Sequence, residues 1–340
     1  MKIAFVYTSK CHPTVQAFAD SIHAEPYCIK ASSLGAFGRA INSFLLTMTM
    51  PKFEVYFIES AMSLFVPTIK RKLFREKNII IFRANDGLFG EKDAAYLTYS
   101  KSHSKNFLKV LVLKYLIKNI DAISTESAAT KKDILRWINV PISIDKSYFE
   151  NRKKLYQNKP DYNHKRFLFI GDYRPPYDPK GIEILIKSFE ILEKEKIEVY
   201  IVGKNTDKIK TKAKNIHCLG FIKCPLKYYS KCTFAISAAK YETGPITIFE
   251  ACMAGLIPIF SKNCGHSDIV RKISPELVLE SIEPEEVAKR IREIHNLDDK
   301  TIKKLSARAR KYIKNKFKKE EQLNMFRRNF WKMVNEVKKR

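Results

Sequence analysis

The stretch "TFAISAAKYETGPITIFEACMAGLIPIF" (residues 233–260) shows the pattern from which the fold class is predicted. It begins as a short apolar strand, turns at Gly244 and Pro245, continues as an apolar helix and ends in a second short apolar run. Short apolar strands that alternate with helices are typical of α/β folds with parallel sheets. The stretch therefore predicts one strand, helix and strand of such a sheet.

The same alternation runs along the whole chain of 340 residues. Strands are predicted at 2–7, 26–30, 53–58, 78–83, 122–125 and 140–143, and again at 166–171, 198–203, 216–221, 233–238 and 257–260. A chain of this length is longer than a typical single domain with one hydrophobic core, so two domains are expected. We predict an N-terminal Rossmann-like domain (1–150), a linker (151–165), a second Rossmann-like domain (166–315) and a C-terminal basic helix (316–340).

The net charge of +27 is concentrated near the C-terminus, where residues 301–340 hold 15 basic and 3 acidic side chains. A solvated helix face is the simplest interpretation. The functional alternative is an anionic membrane surface, for which residues 63–77 ("SLFVPTIKRKLFREK") are a second candidate. Nucleic acid is favoured less, because no base-reading motif accompanies the charge.

The apolar runs are shorter than the roughly 20 residues that a membrane-spanning helix needs, and the N-terminus lacks the pattern of a secretory signal. The seven cysteines show no spacing suited to zinc. We therefore expect a cytoplasmic protein with reduced thiols and no bound metal, which associates at most peripherally with a membrane.

The common dinucleotide, P-loop and hydrolase signatures are absent from the sequence. A D-x-D pair, which would hold a divalent metal under a nucleotide diphosphate, is also absent. If phosphates bind to this chain, side-chain cations and helix dipoles must neutralise them.

The turn in the opening stretch supplies such a helix terminus. Pro245 is expected at the first helical position, with Ile246 and Thr247 in the first turn, where free amides would face an anion. Glu242 would lie just outside the helix and Glu250 more than a turn inside it. The two carboxylates could grip opposite ends of an extended ligand; the alternative is a turn carboxylate and a paired interior glutamate.

A cationic pair follows the first strand of the second half, in "FIGDYRPPYDPKGIEILIKSF" (169–189). Arg174 and Lys180 are expected at the carboxyl end of that strand. A planar guanidinium fork and a point charge together suit a diphosphate. The alternative is an ordinary loop in a chain with 63 basic residues.

These motifs, in this order, resemble the retaining glycosyltransferases of family 4, which have the GT-B fold. The resemblance covers residues 166–270 and includes "VYIVGKN", "NIHCLGFI" and the E-x7-E motif before "EACMAGLIPI". It implies two Rossmann-like domains that face each other across a cleft, with C-terminal helices that pack back on the domains. It also implies a hexosyltransferase that uses a UDP- or GDP-sugar as donor, needs no cofactor, and acts on a glycan or lipid-linked acceptor.

The resemblance also assigns roles to individual residues. Arg174 and Lys180 match the pair that binds the donor diphosphate. Glu242 matches the glutamate beside the donor sugar, and Glu250 matches the one that accepts from the ribose hydroxyls. Phe221 and Ile222 match the segment that lines the base, and Thr247 resembles a threonine of the glycogen-synthase branch of the family. Ile246 is a candidate for phosphate binding because of its place in the first turn of the helix.

The chain departs from the family pattern at three places. Pro245 removes a backbone donor, "YTSKCHPT" (7–14) replaces a glycine-rich loop, and Asn85 and Asp86 stand where a histidine is usual. His12 in the first loop is a weak candidate for an acceptor contact. Two alternatives to a glycan or lipid glycosyltransferase remain. The unusual loops on the acceptor side suggest a non-catalytic GT-B protein that binds nucleotide-sugars, and the net charge of +27 suggests a glycosyltransferase that acts on nucleic acid.

Overall fold

The structure, a computed structural model, describes residues 1–8, 11–30, 35–84, 107–148, 153–175 and 178–340. The chain divides into two compact units. Unit 1 comprises Met1–Ser147 with Lys319–Arg340, and unit 2 comprises Tyr148–Lys318. Each unit contains a six-stranded sheet in which every neighbouring pair is parallel. The predicted α/β class with two Rossmann-like domains is confirmed.

Unit 1 contains all the strands that the first half of the sequence predicts. They are β1 (Ile3–Thr8), β2 (Glu25–Ile29), β3 (Val55–Ile58), β4 (Ile79–Ala84), β5 (Ala122–Thr125) and β6 (Ile142–Ile144). The described helices are α1 (Pro13–Ser21), α2 (Gly35–Thr49), α3 (Phe65–Leu73), α4 (Phe107–Ile117), α5 (Ala128–Leu135) and, from the end of the chain, α13 (Lys319–Lys338). The sheet order is β2-β1-β3-β4-β5-β6.

Both faces of this sheet are covered, because alternate residues of a strand point to opposite sides. Ala4 and Val6 belong to the hydrophobic cluster that α2, α3 and α4 cover, whereas Phe5 belongs to the cluster that α1 and α13 cover. In the second cluster the rings of Phe18 and Phe326 lie 4.5 Å apart. The last helix of the chain is therefore part of the core of unit 1.

A buried polar network lies at the end of β4. The fully buried Arg83 donates to Ser124 Oγ at 2.7 Å and to Glu126 Oε1 at 3.0 Å, and its guanidinium lies 5.0 Å from the ring of Phe18. It also donates to the backbone oxygen of Asp145 at 2.8 Å. The carboxylate of Asp145 accepts from Ser124, Ser143 and Asn329 of α13, so that the network joins the sheet to α13.

Unit 2 has the sheet order β12-β11-β10-β7-β8-β9. Its strands are β7 (Phe167–Ile170), β8 (Val199–Val202), β9 (Ile216–Cys218), β10 (Phe234–Ser237), β11 (Ile257–Ser261) and the unpredicted β12 (Val278–Leu279). Its helices are α6 (Lys153–Tyr156), α7 (Ile182–Ile191), α8 (Leu226–Lys231), α9 (Ile246–Ala254), α10 (Ser267–Ile273), α11 (Pro284–His295) and α12 (Asp299–Lys316).

The basic C-terminal segment is helical and packs by its apolar stripe. On α12, Ile302, Ala309 and Ile313 are fully buried in unit 2, and the basic side chains Lys303, Lys304 and Lys311 are exposed. The helix therefore has one buried apolar face and one exposed basic face. Within the described residues, no helix has the length and apolarity that crossing a membrane requires.

Candidate active site

The sheet of unit 2 reverses its direction of winding between β7 and β10. From β7 the chain moves outward through β8 and β9, and from β10 it moves the other way through β11 and β12. Ligands of open parallel sheets bind at the carboxyl ends of the strands where such a reversal occurs. A pocket lies at this place; its lining residues are Leu168, Phe169, Ile170, Lys180, Tyr229, Ala235, Ile236, Ser237, Glu242, Pro245, Thr247, Ala251 and Phe260.

Two of the predicted site residues meet at this pocket. Lys180 Nζ lies 3.0 Å from Glu242 Oε2, and the side chains are 36% and 21% exposed. Lys180 comes from the loop after β7 and Glu242 from the loop after β10, so the reversal of the sheet brings them together. The pair is accessible to a ligand that carries negative charge beside Lys180 and hydrogen-bonding groups beside Glu242.

A glycine positions Lys180. Gly181 has φ +67°, and a Cβ at this position would lie 2.0 Å from the carbonyl oxygen of Ala238. Only glycine adopts this conformation and tolerates this approach without strain. The backbone oxygen of Pro179 accepts from the amides of Lys240 and Tyr241 at 2.8 and 3.0 Å. The loop before α7 is therefore held against the loop that carries Glu242.

The backbone of Glu242 is held from the other side by the loop after β11. The amide of Gly265 donates to the oxygen of Glu242 at 2.6 Å, and the amide of Glu242 donates to the oxygen of Asn263 at 3.4 Å. Sequence reasoning did not identify this loop, because no local motif marks a backbone contact between distant segments. The orientation of Glu242 thus depends on the loops after both β10 and β11.

The helix that follows Glu242 begins one residue later than predicted. Pro245 is the N-cap residue with φ −68° and ψ 120°, and α9 begins at Ile246. The expectation that Pro245 occupies the first helical position is wrong, because its extended ψ places it before the helix. Ile246 and Thr247 lie in the first turn, where amides have no acceptor within the helix. Thr247 lines the pocket.

Glu250 lies one turn further along α9 and is bound by a neighbouring side chain. The hydroxyl of Tyr229, which is almost fully buried, donates to Glu250 Oε2 at 3.3 Å. Tyr229 lines the pocket, whereas Glu250 and Ile246 do not. Sequence reasoning missed Tyr229, because its contact with Glu250 joins two helices that carry no shared motif.

Arg174 lies on the same loop as Lys180 but has a different partner. Its side chain is 71% exposed and pairs with Asp172 at 3.2 Å. Asp172 also accepts from the amide of Lys204 at 3.0 Å. Burial raises the pKa of Asp172, but the Lys204 amide and Arg174 outweigh burial and hold it below its ordinary value. The structure therefore does not bring Arg174 into the pocket with Lys180.

The predicted base-lining residues follow β9. Phe221 is 65% exposed, and Lys204 Nζ lies 5.9 Å from the centre of its ring. Ile222 is half-buried and packs against the core of unit 2. Lys204 thus connects Phe221 with Asp172 along the carboxyl edge of β7, β8 and β9. An exposed aromatic ring at this edge offers a surface on which a planar group can stack.

Unit 1 reverses its winding between β1 and β3, and a second polar cluster lies there. Thr8 Oγ1 donates to Ser60 Oγ at 3.3 Å, and the amide of His12 donates to Glu59 Oε1 at 3.4 Å. Burial raises the pKa of Glu59 and outweighs the lowering effect of the hydrogen bonds from Cys11 and His12. Glu59 directly follows β3, so a rule based on strand ends would have identified it.

The ring of His12 has a structural contact as well. His12 is the N-cap of α1, and its Nδ1 accepts from the amide of Thr14 at 3.3 Å. Asn85 and Asp86 lie outside the described residues. In the part of the chain that the structure describes, no group of three or more His, Cys, Asp or Glu side chains is arranged to hold a metal ion.

Comparisons with known proteins link unit 2 to a family. Residues 150–316 match the sequence profile of the family described as glycosyl transferases group 1. The matched residues lie within unit 2, which comprises Tyr148–Lys318. No curated protein sequence matches the chain.

Solved structures resemble the whole chain. Alr3699/HepE from Anabaena in complex with UDP and glucose is 15% identical, with a TM-score of 0.72, and the match covers 98% of this chain and 100% of that one. Sucrose-phosphate synthase from Thermosynechococcus elongatus is 13% identical, with a TM-score of 0.71 and coverage of 98% and 99%.

A glycosyltransferase from Rickettsia africae is likewise similar, with 13% identity, a TM-score of 0.66 and coverage of 98% and 99%. At these identities the likeness shows the fold. Unit 2 thus carries the sequence profile of the glycosyl transferases group 1 family, in a chain whose two-domain Rossmann-like fold is that of solved glycosyltransferases.

Proposed function

We propose that this protein is a retaining hexosyltransferase that transfers a sugar from a UDP- or GDP-sugar to a glycan or lipid-linked acceptor, with UDP or GDP as the leaving group. The observation that carries the proposal is the Lys180–Glu242 ion pair in the pocket between β7 and β10. The match of unit 2 to glycosyl transferases group 1 supports the reaction class. The complexes of Alr3699/HepE with UDP-glucose and with UDP and glucose support a nucleotide-sugar donor.

Lys180 and the first turn of α9 would bind the donor diphosphate. When the bond between the sugar and the diphosphate breaks, negative charge develops on the phosphate oxygens, and a fixed cation with free helix amides stabilises that charge. Arg174 would add its guanidinium by exchanging Asp172, its present partner, for a phosphate oxygen. This arrangement supplies positive charge without a D-x-D metal site.

Glu242 would position the donor sugar, since its carboxylate lies beside the ammonium that binds the phosphate. Phe221 would stack on the base, with Ile222 beneath it, and Glu250 would accept from the ribose hydroxyls once Tyr229 gives up its bond. The acceptor would bind to unit 1 at the cluster of Glu59 and His12. A retaining reaction requires the acceptor to attack from the face that the diphosphate leaves.

The first test is a thermal unfolding screen with UDP, GDP and their common sugars, because a ligand stabilises the native state by mass action. Loss of Lys180 in Lys180→Ala should weaken binding of the active nucleotide about tenfold to a hundredfold, as for a charge-assisted hydrogen bond. Lys187→Ala, on an exposed face of α7, is the matched control. Unchanged affinity of the Arg174→Ala/Lys180→Ala double variant would refute this donor site.

A non-catalytic nucleotide-sugar-binding protein is the second candidate. Two observations favour it: Pro245 has no amide to donate where a helix N-cap could contact phosphate, and Glu250 is engaged by Tyr229. Release of free UDP or GDP that depends on Glu242 would exclude it. Tight donor binding without release, in the presence of a panel of glycan and lipid acceptors, would establish it.

A further inference from the structure

Helix α2 exposes an apolar stripe. Ile41, Phe44, Leu45 and Met48 are between 41% and 55% exposed. Their spacing of three and four residues places them on one side of the helix. Such a stripe usually faces the core of a globular protein, whereas here it faces outward.

The inner side of α2 is unusually polar. Ser43 and Thr47 are both only 1% exposed, and their hydroxyls donate to the backbone oxygens of Arg39 and Ser43, at 2.8 and 2.7 Å. Hydroxyls that bond within their own helix are tolerated in a core without outside partners. The inner side of α2 thus carries two small polar residues beside the partly buried Leu46, whereas four large apolar residues face outward.

The end of α3 continues this surface. Leu73 is 69% and Phe74 44% exposed. Lys70 Nζ donates to the oxygen of Met50, just after α2, at 2.7 Å and lies 6.0 Å from the ring of Phe74. The exposed apolar residues of α3 thus adjoin the end of α2.

Basic side chains flank the apolar residues. Lys72, Arg75 and Lys77 are exposed. Glu76, the carboxylate among them, is buried and pairs with Lys70 at 3.3 Å. Neither α2 nor α3 contains an acidic residue. The charge that this surface presents is therefore positive.

We propose that this α2–α3 surface docks on an anionic lipid bilayer. The surface comprises Ile41, Phe44, Leu45, Met48, Lys72, Leu73, Phe74, Arg75 and Lys77. Large apolar side chains that enter the boundary between headgroups and acyl chains, beside basic residues that attract anionic lipid, are the chemistry of interfacial binding. The proposal extends the proposed function to a membrane location but does not depend on the donor site.

A dimer interface on this surface, or membrane docking through α12, fits the residues less well. A symmetric dimer would place the same basic surface of each copy face to face, where like charges repel. The basic face of α12 carries positive charge but lacks exposed large apolar residues: its apolar stripe is buried in unit 2. The α2–α3 surface, by contrast, carries both exposed basic residues and exposed large apolar residues.

The test is flotation of the full chain with vesicles of equimolar phosphatidylglycerol and phosphatidylcholine, compared with vesicles of phosphatidylcholine alone. Wild-type protein should float with the anionic vesicles only. Phe44→Ser with Leu45→Ser should weaken binding by about tenfold for each side chain. Replacing Lys72, Arg75 and Lys77 by glutamine should weaken it about fivefold for each charge.

Control variants remove exposed charge or exposed apolar area from unit 2 instead. Replacing Lys303, Lys304 and Lys311 of α12 by glutamine removes three charges from an exposed face, and Ile191→Ser removes an exposed apolar side chain of unit 2. Both should leave flotation unchanged. Thermal unfolding checks that each variant is folded.

Three results would overturn the proposal. The first is flotation that is equal with neutral and anionic vesicles, or absent from both. The second is an equal loss of flotation in the α12 control. The third is a wild-type dimer in solution that Phe44→Ser with Leu45→Ser converts to a monomer, which would make the surface an interface between copies.

Discussion

Lys180 and Glu242 form a 3.0 Å ion pair although they lie on loops that follow two different strands of unit 2. The pair neutralises the ammonium that the proposed site offers to a phosphate. A diphosphate that binds to Lys180 must therefore compete with Glu242 for the same cation. The pair also keeps the Glu242 carboxylate at the position where the donor sugar would follow the diphosphate.

This competition predicts opposite effects of Glu242→Gln on binding and on turnover. Free UDP or GDP should bind about twofold to fivefold more tightly, because a partly exposed ion pair contributes at most about 1 kcal/mol and its loss frees Lys180. Sugar transfer should slow, because the carboxylate that we propose to position the sugar is gone. Calorimetric titration of the nucleotide and a turnover assay check both directions, and weaker nucleotide binding would contradict the role of the pair.

Gly181→Ala should destabilise unit 2 by about 2 kcal/mol or more. The left-handed φ of +67° alone costs about 1 kcal/mol or more for a residue with a Cβ, and the contact with the oxygen of Ala238 adds to this. Chemical denaturation measures the loss. Gly220→Ala is the control: Gly220 has a similar φ of +69°, but a Cβ there would approach only the side chain of Asp207, at 3.3 Å, so its loss should be smaller.

The strands were predictable from sequence because buried parallel strands are short continuous apolar runs. Among the strands in the described residues, only β12, two residues long, was missed. The meeting of Lys180 and Glu242 was also predictable, since carboxyl ends of neighbouring parallel strands share one edge of the sheet. In the same way Asp172 and Glu59, each next to a strand end, could have been found.

The partners of individual side chains were not predictable. Arg174 and Lys180 lie close together in the sequence, which predicts one cationic cluster. In the structure, however, Arg174 pairs with Asp172. The engagement of Glu250 by Tyr229 depends on the packing of α8 against α9. The helical period of α2 shows an apolar stripe, but it does not show that small polar residues face the core. Which side of a helix is buried depends on its packing against the rest of the unit.

Arg83→Met should destabilise unit 1 by about 3 to 5 kcal/mol, because it leaves the buried carboxylate of Glu126 without its cation. Methionine has a similar length, so the loss would come from charge and hydrogen bonds more than from volume. Chemical denaturation measures it. Arg328→Met on the exposed face of α13 should change stability by less than about 0.5 kcal/mol. Similar losses in both variants would show that the buried network contributes nothing specific.

Glu59→Gln should make the free energy of unfolding less dependent on pH. Burial raises the pKa of Glu59 above its ordinary value of 4.5, so the folded protein binds the proton more tightly than the unfolded chain does. The favourable contribution of Glu59 is then fully present below pH 4.5 and is lost as the pH rises through the raised pKa. Glutamine stays neutral and can still accept from the amide of His12.

The Glu59→Gln variant should therefore be more stable than wild type at neutral pH, and this advantage should vanish in acid. Denaturation at several pH values checks this, with the exposed Glu54→Gln as control; a constant difference at all pH values would show that the charge of Glu59 is not its cause.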